Sequence, residues 1–224
     1  MFSVVIPTYN PVKEWFQECL NSCAGVDEIV IGNDASKIYD PAEYKYPEGV
    51  ETRFIHGEKN VGPFKMLNRI IPEAKGEWIS TQADDDSYDK RKFPRLLNFI
   101  RGVPEDVDVV CYPCSYFGKR MQLYGQCGIP NFETIYKANN IYGSSFFRKR
   151  VFERLGGFQL TVAGDWDFWL RALKSGFKFA YFPEVSAYFR VSERSMFEDS
   201  LKKLGRKKID RMVQENVDKW DVKK

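Results

Sequence analysis

Apolar residues in this chain follow two rhythms. Short runs centred on Phe2 to Ile6, Ile29 to Ile31, Phe54-Ile55, Trp78 to Gln82 and Val107 to Cys111 read as strands, most of them buried on both faces. Between them the spacing turns helical: Trp15, Phe16, Cys19, Leu20 and Cys23 over 11–23, Phe64, Leu67, Ile70 and Ile71 over 62–74, and a further helix over 90–101. Asn10 is placed to cap the first of these, with Pro11 in its first turn. Residues 37–50, dense in Tyr and Pro, read as loop. Strands alternating with helices predict an α/β fold with a single Rossmann-like sheet, mixed and mostly parallel, flanked by helices on both faces.

The second half is less regular. The pattern predicts a strand over 142–147 and a helix over 149–155 that stops at Gly156-Gly157. A helix follows over 165–174 with Phe168, Trp169, Leu170, Ala172 and Leu173 inward, then a strand over 177–182 stopped by Pro183. From Arg194 onward the chain reads as charged helix, with Met196, Phe197, Leu201, Leu204, Ile209, Met212 and Val213 on its apolar face. Residues 115–140 carry the least pattern.

Composition narrows the class. The 224 residues are 43% hydrophobic and 16% aromatic, enough for a core. A net charge of +3, with both signs interspersed, argues against a nucleic-acid partner. No apolar run reaches the length of a membrane span, and Met1 leads straight into a strand-like run. The five cysteines are an odd number and include Cys127 and the spaced pair Cys111 and Cys114. With one histidine in the chain, that pair reads as core packing, and free thiols suit a reducing, cytoplasmic setting.

Open parallel sheets collect ligands at the carboxyl ends of their strands. Four such ends are polar here: Pro7-Thr8-Tyr9-Asn10, Asn33-Asp34-Ala35-Ser36, the stretch 57–62 and Asp84-Asp85-Asp86. Three adjacent carboxylates are costly unless something positive joins them, and Mg²⁺ favours one or two carboxylates plus substrate phosphates. No G-x-G-x-x-G follows the first strand and no G-x-x-x-x-G-K-[ST] occurs. The combination points to a nucleoside diphosphate held with a metal.

The order of motifs resembles the family-2 glycosyltransferases of the GT-A fold. Ile6-Pro7-Thr8-Tyr9-Asn10, Asn33-Asp34-Ala35-Ser36, Asn60-Val61-Gly62 with Asn68, Lys75-Gly76-Glu77-Trp78-Ile79 leading to Asp84–Asp86, Leu155-Gly156-Gly157-Phe158, and Gly164-Asp165-Trp166-Asp167-Phe168-Trp169-Leu170-Arg171 carry the likeness over about residues 1–195. The resemblance implies an inverting transfer of sugar from a nucleoside-diphosphate sugar, UDP-linked by expectation, to a hydroxyl of a glycan, glycoprotein or lipid-linked saccharide. Residues 1–115 would bind the nucleotide, 116–195 the acceptor. Asp165 is the implied general base. Pro7, Thr8, Tyr9, Asp34, Asn60, Lys65, Asp84 and Asp85 are expected at the nucleotide. Mn²⁺ or Mg²⁺ is expected on Asp86 principally, with Asp84. Ser144 and Trp166 are expected at the sugar or acceptor.

The chain also departs from the family pattern. Asn33 replaces the first acid of a pair, leaving base recognition to Asp34; Ala83 and Gly164 stand where relatives carry acids. Phe189-Arg190-Val191-Ser192 lacks the family's histidine. A sugar-phosphate nucleotidyltransferase and a catalytically silent nucleotide-sugar-binding module are the alternatives. Residues 196–224 form a basic tail, with Lys202, Lys203, Arg206, Lys207, Lys208, Lys223 and Lys224. It reads as a helix packed on its own domain or a linker to a further domain, with peripheral contact to an anionic membrane as the alternative.

Overall fold

The structure is a computed structural model that describes residues 1–125 and 128–221, with backbone alone at Phe197 and Glu198. Cys127, Lys223, Lys224 and the side chain of Phe197 lie outside the described residues. In chain order the first half forms β1 (Phe2–Thr8), α1 (Lys13–Ser22), β2 (Glu28–Asn33), β3 (Glu51–His56), α2 (Pro63–Ile70), β4 (Trp78–Thr81), β5 (Ser87–Tyr88), α3 (Phe93–Arg101) and β6 (Val107–Cys111). The second half forms β7 (Cys114–Gly118), β8 (Gln122–Tyr124), α4 (Phe132–Lys137), β9 (Phe146–Arg148), α5 (Lys149–Leu155), α6 (Gly164–Lys174), β10 (Lys178–Tyr181), β11 (Ala187–Val191), α7 (Met196–Leu204) and α8 (Arg206–Lys219).

Seven strands make one sheet in the order β10-β6-β9-β4-β1-β2-β3, and four make a smaller one, β5-β11-β7-β8. The large sheet is parallel except for β9, which runs antiparallel to both β4 and β6. The expected mixed, mostly parallel sheet is therefore present. Continuous apolar runs are needed because each central strand is covered twice. Val4 and Ile6 face Phe16, Leu20 and Leu96 of α1 and α3, while Val5 faces Met66 and Ile70 of α2. Each large aliphatic side chain buried in this way contributes roughly 1.5–3 kcal/mol.

Three regions differ from the sequence reading. The strand expected over 142–147 shortens to β9. The carbonyls of Gly143 and Ser144 are taken by Thr81 Oγ1, Ser80 Oγ and the Tyr112 hydroxyl, so side chains replace a ladder there. β7, β8, α4 and β11 occupy segments that carried no clear period. The tail splits into two helices at Gly205, whose φ of +76° suits glycine. α8 buries Ile209, Val213 and Val217 in the main core. Asn216 Nδ2 donates to Asp167 Oδ1 (2.6 Å) and Lys174 Nζ to the Val217 carbonyl (2.8 Å), which ties α8 to α6.

All four described cysteines are buried, and none of them is in a disulfide. No helix among the described residues is long and apolar enough to cross a membrane.

Candidate active site

The carboxyl ends of β1, β2 and β4 open into a cleft of about 840 Å³ closed on its other side by β7, β8, β11 and the start of α6. A hollow of about 880 Å³ lies around Met1, Trp78 and Arg148, at the amino ends of β1 and β4. Its Arg148 and Arg150 are already paired with Glu77 and Asp108. The polar strand ends singled out in the sequence meet in the first cleft. Among the described residues, the only non-glycine positions with left-handed backbone are Asn10, Ala35 and Ala163. Two of these line the cleft and Ala35 follows Asp34, the clustering expected where strain serves a site.

The end of the cleft formed by β1 and β2 is built by side chains that order the loops. Asp34 is buried, and its two carboxylate oxygens accept the N–H groups of Val61 (2.9 Å) and Gly62 (2.7 Å). Asp34 thereby caps the turn into α2. Gly62 needs its φ of +87° to enter that helix. Pro7, Thr8, Tyr9 and Asn60 line the cleft, with Tyr9 half exposed and able to stack on a base. Lys65 and Arg69 do not join them. Both are exposed on α2, whose buried face is Met66, Leu67 and Ile70, so the phosphate contact expected of Lys65 has no support in the geometry.

The three aspartates after β4 have different surroundings. Thr8 Oγ1 donates to Asp84 Oδ2 at 2.6 Å. Burial pushes Asp84 up to about 6, against hydrogen bonds from Thr8 and the Tyr9 N–H. Asp85 is raised by burial as well, and its carboxylate accepts from its own N–H and feels Arg190 and Arg194. Asp86 is 2% exposed; Arg190 N–H donates to Oδ1 (2.7 Å) and the Tyr142 hydroxyl to Oδ2 (3.3 Å). Burial first, and the charge of Asp85 second, raise it well above the usual carboxylate range. An enclosed, doubly hydrogen-bonded carboxyl suits β11 anchoring better than metal ligation. Asp84, Asp85 and Asp86 all line the cleft, and Asp84 and Asp85 are the less enclosed of the three. No group of three His, Cys, Asp or Glu converges on one point among the described residues, so any cation would share its shell with a ligand.

Asp165 sits in the first turn of α6, on the opposite wall. Asn139 Nδ2 donates to its Oδ2 at 3.1 Å. Burial raises its pKa above the ordinary value, while the N–H groups of Trp166 and Asp165 and the Asn139 amide hold the shift down. The rest of the same motif turns inward. Asp167 and Arg171 form a fully buried pair at 2.8 Å, and Arg171 donates to the carbonyls of Leu155 (3.0 Å) and Gly157 (2.8 Å) that end α5. Gly164 is required by contact: a Cβ there would stand 2.9 Å from the ring of Phe64. Trp166 is 2% exposed, with Nε1 donating to the Ile135 carbonyl (2.7 Å), and forms part of the inner wall of the cleft. Ser144 is also buried at the cleft wall.

Two residues of the site were missed in the sequence. Arg190 reaches Glu18 (2.6 Å) and the Asp85 carbonyl (2.9 Å), while Arg194 donates to the Asn10 carbonyl (2.6 Å). Both line the cleft beside the acids. The signal for Arg190 lies in Phe189-Arg190-Val191-Ser192, a cation in a short strand beside the cleft.

A model of glycosyl transferase family 2 matches residues 3–156. The chain belongs to that family. It is a glycosyltransferase, which sets aside the nucleotidyltransferase alternative. Among curated relatives, the "PGL/p-HBAD biosynthesis glycosyltransferase" of Mycobacterium bovis is 29% identical over 184 residues, covering 78% of this chain and 70% of that protein. The glycosyltransferase YwdF of Bacillus subtilis is 28% identical over 189 residues, covering 77% and 68%. The structure of Staphylococcus aureus TarS residues 1–349 with UDP superposes with a TM-score of 0.74 at 21% identity, over 99% of this chain and 67% of that one. A Pyrobaculum calidifontis mannosyltransferase with GDP-Man and Mn²⁺ gives 0.64 at 19% identity, over 91% and 60%. These likenesses establish the GT-A fold for this chain.

Proposed function

We propose that this glycosyltransferase moves a sugar, with inversion, from a nucleoside-diphosphate sugar to a hydroxyl of a glycan, glycoprotein or lipid-linked saccharide, and that UDP is the nucleotide. The observation that carries the reading is the pairing, across one cleft, of Asp165 with the Asp84–Asp85 cluster. Solved proteins of the same fold are described in complex with UDP, UDP-GlcNAc and GDP-Man, which supports the donor class.

Asp165 accepts the proton of the acceptor hydroxyl as that oxygen attacks the anomeric carbon. A carboxylate raised by burial is a stronger base than a solvated one, and Asn139 fixes its orientation. Tyr9 stacks on the base, and Asp34 keeps the loop at 60–62 in place beneath the ribose. Arg190 and Arg194 offset charge on the departing diphosphate. The donor set fits Mn²⁺ or Mg²⁺: two carboxylate oxygens from Asp84 and Asp85, raised by burial and lacking a paired side-chain cation among the described residues, leave positions for phosphate oxygens. Such a cation supplies Lewis-acid stabilisation to the diphosphate. Gln82, buried at the cleft with neither end of its amide partnered among the described residues, is available to an occupant.

Donor hydrolysis over UDP-, GDP- and dTDP-sugars with Mn²⁺ tests the reading without knowledge of the acceptor. Release of UDP is expected, and hydrolysis of none of the three classes would overturn it.

A further inference from the structure

One face of the small sheet forms a wall of the cleft. β7 pairs with β8 so that Tyr116 stands opposite Gln122 and Cys114 opposite Tyr124, and with β11 so that Tyr116 stands opposite Phe189. Alternate residues of a strand share a face, so Tyr116, Gln122, Tyr124 and Phe189 lie on one side of the sheet, and all four line the cleft. Tyr116 stacks on Tyr124 with ring centroids 5.4 Å apart and packs against Phe189 at 4.9 Å. The three rings rest on the core and remain part-exposed.

This aromatic wall is joined to the proposed base. The Tyr124 hydroxyl donates to the Asn139 carbonyl (2.8 Å), and Asn139 Nδ2 donates to Asp165 Oδ2 (3.1 Å). Burial raises the hydroxyls of Tyr116 and Tyr124 above their ordinary value, and the negative charge of Asp165 adds to the rise at each. Inversion requires the attacking hydroxyl to approach from the side of the sugar away from the diphosphate. A surface beside the base therefore meets the acceptor.

The chemistry of the wall selects the class of acceptor. A pyranose has flat C–H patches that lie on aromatic rings and a rim of hydroxyls that need hydrogen-bond partners. The wall offers both, with the Gln122 amide opposite Tyr116 and the Arg120 guanidinium carbon 5.0 Å from the Tyr116 ring centroid. A serine or threonine side chain of a protein has no such apolar face to present.

We propose that Tyr116, Tyr124 and Phe189 form the acceptor subsite and that the accepting group is itself a sugar ring, seated on Tyr116 and Tyr124 with one hydroxyl turned to Asp165. That oxygen bonds to the anomeric carbon as the bond to the diphosphate oxygen breaks; its proton passes to Asp165 and the nucleoside diphosphate leaves with the electron pair. The role as acceptor rests on the proposed transfer reaction, whereas binding of a sugar to the wall does not.

Steady-state release of nucleotide from the donor that supports hydrolysis, with methyl glycosides of glucose, galactose, mannose, N-acetylglucosamine and rhamnose as acceptors, tests the subsite. At least one glycoside is expected to accelerate release, with an acceptor KM that rises about tenfold or more in Tyr116→Ala and Tyr124→Ala and stays within about threefold in Tyr116→Phe, which keeps the ring. The donor KM is expected to move by less than about twofold. A raised donor KM with the acceptor KM unmoved would put the donor sugar on the wall and overturn the proposal. Acceleration by a serine-containing peptide and by none of the glycosides would do the same. Saturation-transfer NMR on the wild type, irradiating aromatic protons, needs no substitution and so stands even where the alanine variants fail to fold. Transfer to C–H protons of a glycoside is expected, and its absence from all of them would contradict the subsite. Saturation transfer without turnover of any nucleotide-sugar would count against the reaction and not against the sugar contact.

Discussion

The backbone N–H of Arg190 donates to Asp86 Oδ1 at 2.7 Å, joining β11 to the acidic turn after β4. This bond gives the last aspartate of the cluster a structural task, while the other two, less buried, share the cleft wall with it. It separates three residues that are indistinguishable as letters.

Nucleotide binding in the presence of Mn²⁺ should follow that division. Asp85→Asn is expected to weaken metal-dependent UDP binding about tenfold or more, while Asp86→Asn should leave it within about threefold, since an amide oxygen still accepts from Arg190. Titration calorimetry with and without chelator measures both. The opposite order would return the metal to Asp86.

The pH dependence of stability carries the mark of Asp84. Its folded pKa of about 6 exceeds the ordinary 3.8, so the folded protein holds this proton more tightly than the unfolded chain does. The stability contributed by the protonated group is present below about pH 4 and lost as pH rises through about 6. Asp84→Asn removes this dependence. The melting temperature of the variant relative to the wild type should therefore climb between pH 4 and pH 7, and a flat difference would count against the shift.

Phe64 and Gly164 are matched by contact. Gly164→Ala places a methyl 2.9–3.0 Å from ring carbons of Phe64 and is expected to cost about 1–3 kcal/mol. Adding Phe64→Leu should recover part of that loss, with coupling visible in a double-mutant cycle of chemical denaturation. Strict additivity of the two changes would show that the ring does not set the position of α6.

Asp34→Ala removes the acceptor for the Val61 and Gly62 N–H groups. Stability should fall by about 1–2 kcal/mol, in the range of a lost helix cap, and UDP affinity should fall with it. Weakened affinity at unchanged stability would instead mean that Asp34 acts on the base alone.

Much of this was legible in the chain. The runs at Phe2–Ile6 and Ile29–Ile31 are apolar throughout because helices cover both faces, and that requirement is written in the residues themselves. The motif at 164–171 placed Asp165 correctly at a helix start. What the sequence could not show was orientation: Asp165 faces the cleft, whereas Asp167, two residues on, is buried against Arg171. Nor could spacing reveal the small sheet. β7, β8 and β11 are half-exposed and short, so their apolar period is weak, and the pairing of β11 with β7 joins residues far apart in sequence. The sequence equally hid Arg190, whose neighbours Trp15, Glu18 and Asp86 come from distant segments.

The central claim is that Asp165 is the base of a sugar transfer occurring in this cleft. Asp165→Asn keeps the shape and the Asn139 contact while removing the basic oxygen. UDP release from a UDP-sugar should drop by about 10²-fold or more, with UDP affinity and melting temperature essentially unchanged. Undiminished turnover in that variant would contradict the assignment.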